Sequence, residues 1–165
     1  MNHQLPTFLR ASLAAAALGG ALVITGCGSM STGSSSSGSA AAATPMMATQ
    51  TFRATLSSAA EVPANASAGS GTLEASFDKA SSVLRWKVTY SGLSGAATMA
   101  HFHGPAMPGS NAGVVVPLPS AASPAEGSAT LTPAQAADLM AGKWYINVHT
   151  AQNPGGEIRG QVLAN

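Results

Sequence analysis

A single cysteine, Cys27, stands in a chain of 165 residues. One thiol excludes an internal disulfide and any CxxC metal knuckle. Charge is nearly as scarce. Charged residues make up 8% of the chain, with 7 Lys and Arg against 6 Asp and Glu, a formal net charge of +1. With so few cations and no basic cluster, the sequence excludes a surface built to track nucleic-acid phosphates. No GxSxG elbow, Walker loop or dinucleotide fingerprint occurs, which removes the enzyme classes built on them. The acidic residues are scattered, without the close carboxylate pair of a glycoside hydrolase. No long apolar run is present either. The longest, residues 11–25, has 15 residues and is too short to span a bilayer comfortably.

That run has the size of a signal-peptide core. Arg10 and the amino terminus give it a positive start, and it ends in Ile24-Thr25-Gly26-Cys27. An aliphatic residue and two small residues before a cysteine resemble the bacterial lipobox. The resemblance implies cleavage after residue 26 and lipidation of Cys27. Gly28 rather than Asp follows the cysteine, which implies the outer membrane in a Gram-negative cell. The alternative is an ordinary secretory signal with a chance cysteine. Residues 28–50 are rich in Ser, Gly, Ala and Thr and carry no charge. They cannot bury enough apolar area to offset their ordering entropy, so residues 27–50 read as a lipidated cysteine and a tether. Its 23 flexible residues after Cys27 have an r.m.s. reach of roughly 25 Å.

Residues 51–165 form one domain of ordinary size. Its pattern has period two: Phe52, Ala54 and Leu56, then Leu73, Ala75 and Phe77, then Leu84, Trp86, Val88 and Tyr90, each alternating with polar positions. Strict alternation predicts strands with one buried and one wet face. Further strands are predicted near residues 99–103, 114–116, 127–131, 144–150 and 157–163, separated by Gly- and Pro-rich turns. The fold class that follows is all-β, an antiparallel Greek-key β-sandwich with one short helix. Thr132-Pro133-Ala134-Gln135 predicts the start of that helix through a capping box with Pro at its first position, and Gly142 its end.

Histidine is also rare, and its placement is informative. His3 falls in the signal, leaving His101, His103 and His149. In a strand, residues i and i+2 share a face about 7 Å apart, so His101 and His103 point the same way. That spacing lets two imidazoles converge on one metal at roughly 2.0 Å per bond. Met99 shares their face. In residues 144–150, Trp144, Ile146 and Val148 form the apolar set, which leaves His149 on the other face, where it can supply a third imidazole. Met99 and Glu157 are candidate additional ligands, with Met107 or water as further possibilities for a fourth position. The competing reading is structural: His103 bonds the Gly104-Pro105 turn and His149 the loop after Thr150. Trp86 and Trp144 are expected in the core, and Arg159 opposite Glu157 or another carboxylate.

Three segments now carry a resemblance: His101-Phe102-His103-Gly104-Pro105-Ala106, Trp144 to Thr150, and Asn153-Pro154-Gly155-Gly156-Glu157-Ile158-Arg159-Gly160-Gln161. With Leu56 to Pro63 as an opening segment, they resemble the CHRD domain, named for repeats in chordin. The resemblance covers residues 51–163 and implies a β-sandwich of immunoglobulin-like or superoxide-dismutase-like shape, without an agreed activity. A weaker resemblance to copper–zinc superoxide dismutase rests on the His-x-His strand plus a distant strand histidine. This chain lacks that enzyme's bridging histidine, zinc ligands and disulfide.

Imidazoles suit copper and zinc, a thioether tilts toward copper, and copper tops the divalent affinity order. The main expectation is a lipid-anchored envelope protein that binds copper, with zinc second, for tolerance, storage or delivery. The alternative is a metal-free interaction or adhesion module, and a copper-dependent redox enzyme ranks third. Expected partners are the membrane, through Cys27, and the metal ion. A homodimer stays open.

Overall fold

The computed structural model describes residues 48–165. The expected signal at residues 1–26, Cys27 and the tether up to residue 47 lie outside the described residues. Strand β1 spans Thr49–Ser57, so Thr49 and Gln50 of the expected tether belong to the sheet.

Alternation builds the first three strands. β1 buries Phe52, Ala54 and Leu56; β2 (Ser70–Asp78) buries Leu73 and Phe77; β3 (Val83–Ser91) buries Leu84, Trp86 and Val88. They form an antiparallel meander in unbroken register, with Ala54 opposite Leu73 and Leu73 opposite Val88. The chain then crosses to β4 (Ala97–His103) and β5 (Val114–Pro117), returns to β6 (Ala125–Thr130) beside β3, and passes through helix α1 (Pro133–Met140). Strands β7 (Trp144–Thr150) and β8 (Ile158–Ala164) close the domain.

All eight strands belong to one antiparallel sheet in the order β5-β4-β7-β8-β1-β2-β3-β6. The sheet curls onto itself. Trp86 of β3 and Phe102 of β4 stand near opposite ends of that order, yet their rings meet edge to face at 5.2 Å between centroids. Trp144 of β7 packs on the same Phe102 at 5.9 Å. The core between the two halves holds these three rings with Phe52, Leu56, Leu84, Ile146, Val148, Ile158 and Val162. Each such aliphatic or aromatic side chain contributes about 1.5–3 kcal/mol through burial. The all-β class with one short helix follows from the sequence, and both tryptophans are in the core as expected.

Helix α1 begins as its capping box dictates. The Thr132 hydroxyl accepts from the Gln135 amide, and the Gln135 side chain accepts from the Thr132 amide. It ends at Ala141, and Gly142 follows at φ +69°, a conformation that ends helices and favours glycine. Leu139 is its one fully buried side chain.

Strand β7 departs from the alternating rule. All seven of its residues are buried, not only the Trp144–Ile146–Val148 set. Its second face is covered at Tyr145 by the long loop between β4 and β5, through Ala112, and at His149 by the loop after β7, through Pro154. Arg159 of β8 holds the first of these loops, donating to Asn111 Oδ1 at 2.9 Å and to the Ser110 carbonyl at 2.6 Å. The expectation of a wet face for His149 is therefore corrected: the face is a second, small polar interior.

Candidate metal centre

The pairing of β4 with β7 decides which side chains meet. His101 stands opposite Asn147, His103 opposite Tyr145 and Met99 opposite His149. Directly paired residues of an antiparallel ladder project to the same side, so all six belong to one face. The three imidazoles converge there. Their ring centroids lie 5.0 Å apart for His101–His149, 5.7 Å for His101–His103 and 6.4 Å for His103–His149. Taking one nitrogen from each ring, the three atoms lie within 4.8 Å of one another, a group that can hold a metal ion. Pairing of β4 with β7 was not derivable from spacing, and the structure supplies it.

Two carbonyls fix the protonation of the buried rings. His103 Nδ1 is 3.0 Å from the Ala112 carbonyl, and His149 Nδ1 is 2.9 Å from the Pro154 carbonyl. A carbonyl only accepts, so each Nδ1 carries the hydrogen, and in the neutral form of such a ring Nε2 is the bare lone pair. Carbonyl bonds of this kind are what orient histidines that ligate metals. His103 is further held flat against Tyr145, whose ring is parallel to it at 4.7 Å, and the Arg159 guanidinium covers the Tyr145 ring at 3.4 Å. Burial pushes the His149 imidazole below its ordinary pKa, reinforced by the nearby His103 and partly offset by the bond to Pro154. Burial and the two neighbouring imidazoles do the same to His101. Neutral rings are the form that coordinates metal.

The freed lone pairs point at one another's neighbours. His149 Nε2 lies 3.2 Å from His101 Nδ1 and 2.9 Å from Asn147 Oδ1, and His103 Nε2 lies 3.0 Å from the same Asn147 oxygen. Two acceptor nitrogens thus face an acceptor oxygen. A cation placed among them would turn that repulsion into attraction.

The other candidates fall elsewhere. Met99 shares the histidine face and is about half exposed, while Met107 is exposed on the covering loop. Glu157, expected as an additional ligand, is corrected. Its carboxylate is fully buried and accepts from Ser67 Oγ at 2.5 Å, from the Ser94 amide and hydroxyl at 2.6 Å each, and from Thr150 Oγ1 at 2.5 Å. Thr150 leaves β7 on the face opposite His149, so the hairpin returns Glu157 to the wrong side of the strand. Burial raises its pKa, but the four hydrogen bonds outweigh burial and hold the value at about 2. For Arg159 the Glu157 alternative is corrected: it forms no ion pair with Glu157, the carboxylate its charge acts on is Glu61, and it also supports Tyr145 and the loop. Sequence reasoning placed Tyr145 and Asn147 on the face of His149 but gave neither a role at the site, although Asn147 stands two residues before His149, the same signal that linked His101 to His103.

The family model of the CHRD domain matches residues 52–162, from β1 into β8. Comparisons with curated proteins and with solved structures return no match. The match takes in both histidine-bearing strands and every residue of the cluster, and the chain belongs to the CHRD domain family.

Proposed function

We propose that this protein is an envelope lipoprotein, anchored through Cys27 and by choice of the residue after it in the outer membrane, whose CHRD domain binds one transition-metal ion through His101, His103 and His149. The observation that carries this reading is the pair of Nδ1–H bonds to backbone carbonyls, which turns both buried Nε2 atoms toward Asn147 Oδ1, with His101 Nδ1 beside that of His149. Copper is the metal we favour, because imidazole donors bind it most tightly among the common divalent ions and an exported site meets environmental copper. Copper tolerance, storage or delivery is the corresponding role.

The test is titration of the purified full chain, in detergent, with Cu(I), Cu(II) and Zn(II). Tight one-to-one binding that His103→Ala abolishes, with the fold retained by circular dichroism, supports the reading. Binding no tighter than about 1 mM by correctly folded protein overturns it. A second reading is a metal-free interaction module. The 3.2 Å contact between His101 Nδ1 and His149 Nε2 favours it in one respect, since a His101 N–H donating there closes part of the network without an ion.

A further inference from the structure

Glu61 is the least explained side chain of the domain. It is 7% exposed, and its Oε1 has no hydrogen-bond partner. A buried carboxylate oxygen left unpaired is costly, and burial raises the Glu61 pKa while the Arg159 charge and a backbone bond from Val62 act against it. Beside that oxygen lies Gly156, whose backbone is at φ +132°. A side chain there would run into Glu61 Oε1 and would stand 2.8 Å from Asn147 Nδ2. Glycine at 156 therefore leaves room for a carboxylate oxygen and an amide nitrogen to crowd the same small space.

In the structure the Asn147 amide nitrogen faces the space beside Gly156 that Glu61 Oε1 borders, and its oxygen is turned to the histidines. The reverse orientation would set the amide oxygen against a carboxylate. Four ligands at about 2.0 Å around a metal in a tetrahedron stand about 3.3 Å from one another. The contacts of Asn147 Oδ1 with His149 Nε2 and His103 Nε2, 2.9 and 3.0 Å, and the 3.2 Å between His149 and His101 nitrogens are close to that spacing, and the three imidazoles, whose nitrogens lie within 4.8 Å of one another, draw together the rest of the way on an ion.

We infer that Asn147 Oδ1 is the fourth ligand of the proposed three-histidine site, and that Glu61, across the bare Cα of Gly156, is the positioning residue that aims it. The inference rests on the metal-binding reading and sharpens it. Three nitrogens and an amide oxygen form a borderline-to-hard donor set, suited to a divalent ion such as Cu(II) or Zn(II). The exposed Met99 thioether, which would favour Cu(I), stands outside this set.

The test compares the full chain with Asn147→Ala, Glu61→Ala and Glu61→Gln, using Zn(II), Cu(II) and Cu(I) as probes. Asn147→Ala is expected to weaken Zn(II) and Cu(II) binding by roughly 10–100-fold while changing Cu(I) binding far less. The electron paramagnetic resonance spectrum of bound Cu(II) changes with it. Glu61→Ala shifts the same spectrum and the same affinities. Glu61→Gln restores most of both, because it keeps an oxygen of the same shape beside Gly156 on the side of Asn147 Nδ2. Wild-type affinity and spectrum in folded Asn147→Ala overturn the inference and leave the three-histidine reading standing. Absence of metal uptake by the unmutated chain overturns that reading, and is seen before any variant is compared. Should the variants unfold, the unmutated chain still decides the matter. The Asn147 side-chain carbonyl carbon shifts in its nuclear magnetic resonance spectrum when one equivalent of Zn(II) is added, and an unmoved resonance contradicts the assignment.

Discussion

Two buried polar clusters sit on either face of the end of β7, and they are opposites. Around Glu157, one acceptor group is met by four donors, from Ser67, Ser94 and Thr150. Around Asn147, one amide oxygen is met by two further acceptors, the Nε2 atoms of His103 and His149. The first cluster is complete in the protein alone. It ties β7 to the loop before β2 and to the loop between β3 and β4, and it has no capacity left for a ligand. The second is incomplete, and what it lacks is a positive charge. Burial of a polar residue is therefore a poor guide to function by itself. The balance of donors against acceptors separates a structural knot from a binding site.

The largest way to break the comparison is at the saturated cluster. Glu157→Ala leaves four donors facing an empty space and is expected to cost at least about 3 kcal/mol in urea unfolding. The fraction that remains folded should bind metal with unchanged affinity. A large loss of affinity per folded molecule would mean that the two clusters are one.

Acid gives a second, comparable effect with a defined direction. Glu157 holds its proton less tightly folded than unfolded, because its pKa is lowered from 4.5 to about 2. Its contribution is therefore complete above about pH 4.5 and is lost as pH falls toward 2, with an amplitude of about 3 kcal/mol. Measured unfolding free energies should decline through that window, and Glu157→Gln should flatten the decline. An equally steep decline in the variant would assign the acid sensitivity to another carboxyl group.

The smallest stability effect is expected at the unsaturated cluster. His101 is only partly buried, and its replacement by Gln should change the stability of metal-free protein by less than about 1 kcal/mol. The same substitution should remove the rise in melting temperature that saturating metal gives, an effect worth about 2.7 kcal/mol at a hundredfold excess over Kd. A large destabilisation without metal would mark His101 as structural.

Much of this arrangement was legible in the sequence. Strand β7 was readable to its end residues because Trp144, Ile146 and Val148 alternate without a break, and α1 because its capping box is a local hydrogen-bond pattern. The shared face of His101 and His103 followed from the strand period. Legibility failed where distant loops decide the environment. Ser67 and Ser94 lie 90 and 63 residues from Glu157, and no spacing rule joins them to it. The wet face expected for β7 is dry because Ala112 of the β4–β5 loop lies against His103 and Tyr145 while Arg159 holds that loop, and Pro154 of the β7–β8 loop lies against His149. Asn147 was readable as a face-mate of His149, but its role depends on Glu61 and Gly156, which reach it only in the folded chain.

The account turns on the protonation of two imidazoles, and ring ¹⁵N resonances of the full chain read it directly. Without metal, His103 and His149 should both carry the proton on Nδ1 and none on Nε2. One equivalent of Zn(II) should move both Nε2 resonances and leave both Nδ1 nitrogens protonated. A proton on either Nε2, donating to Asn147, or Nε2 resonances that stay in place when zinc is added, would contradict the claim that this cluster is built to receive a cation.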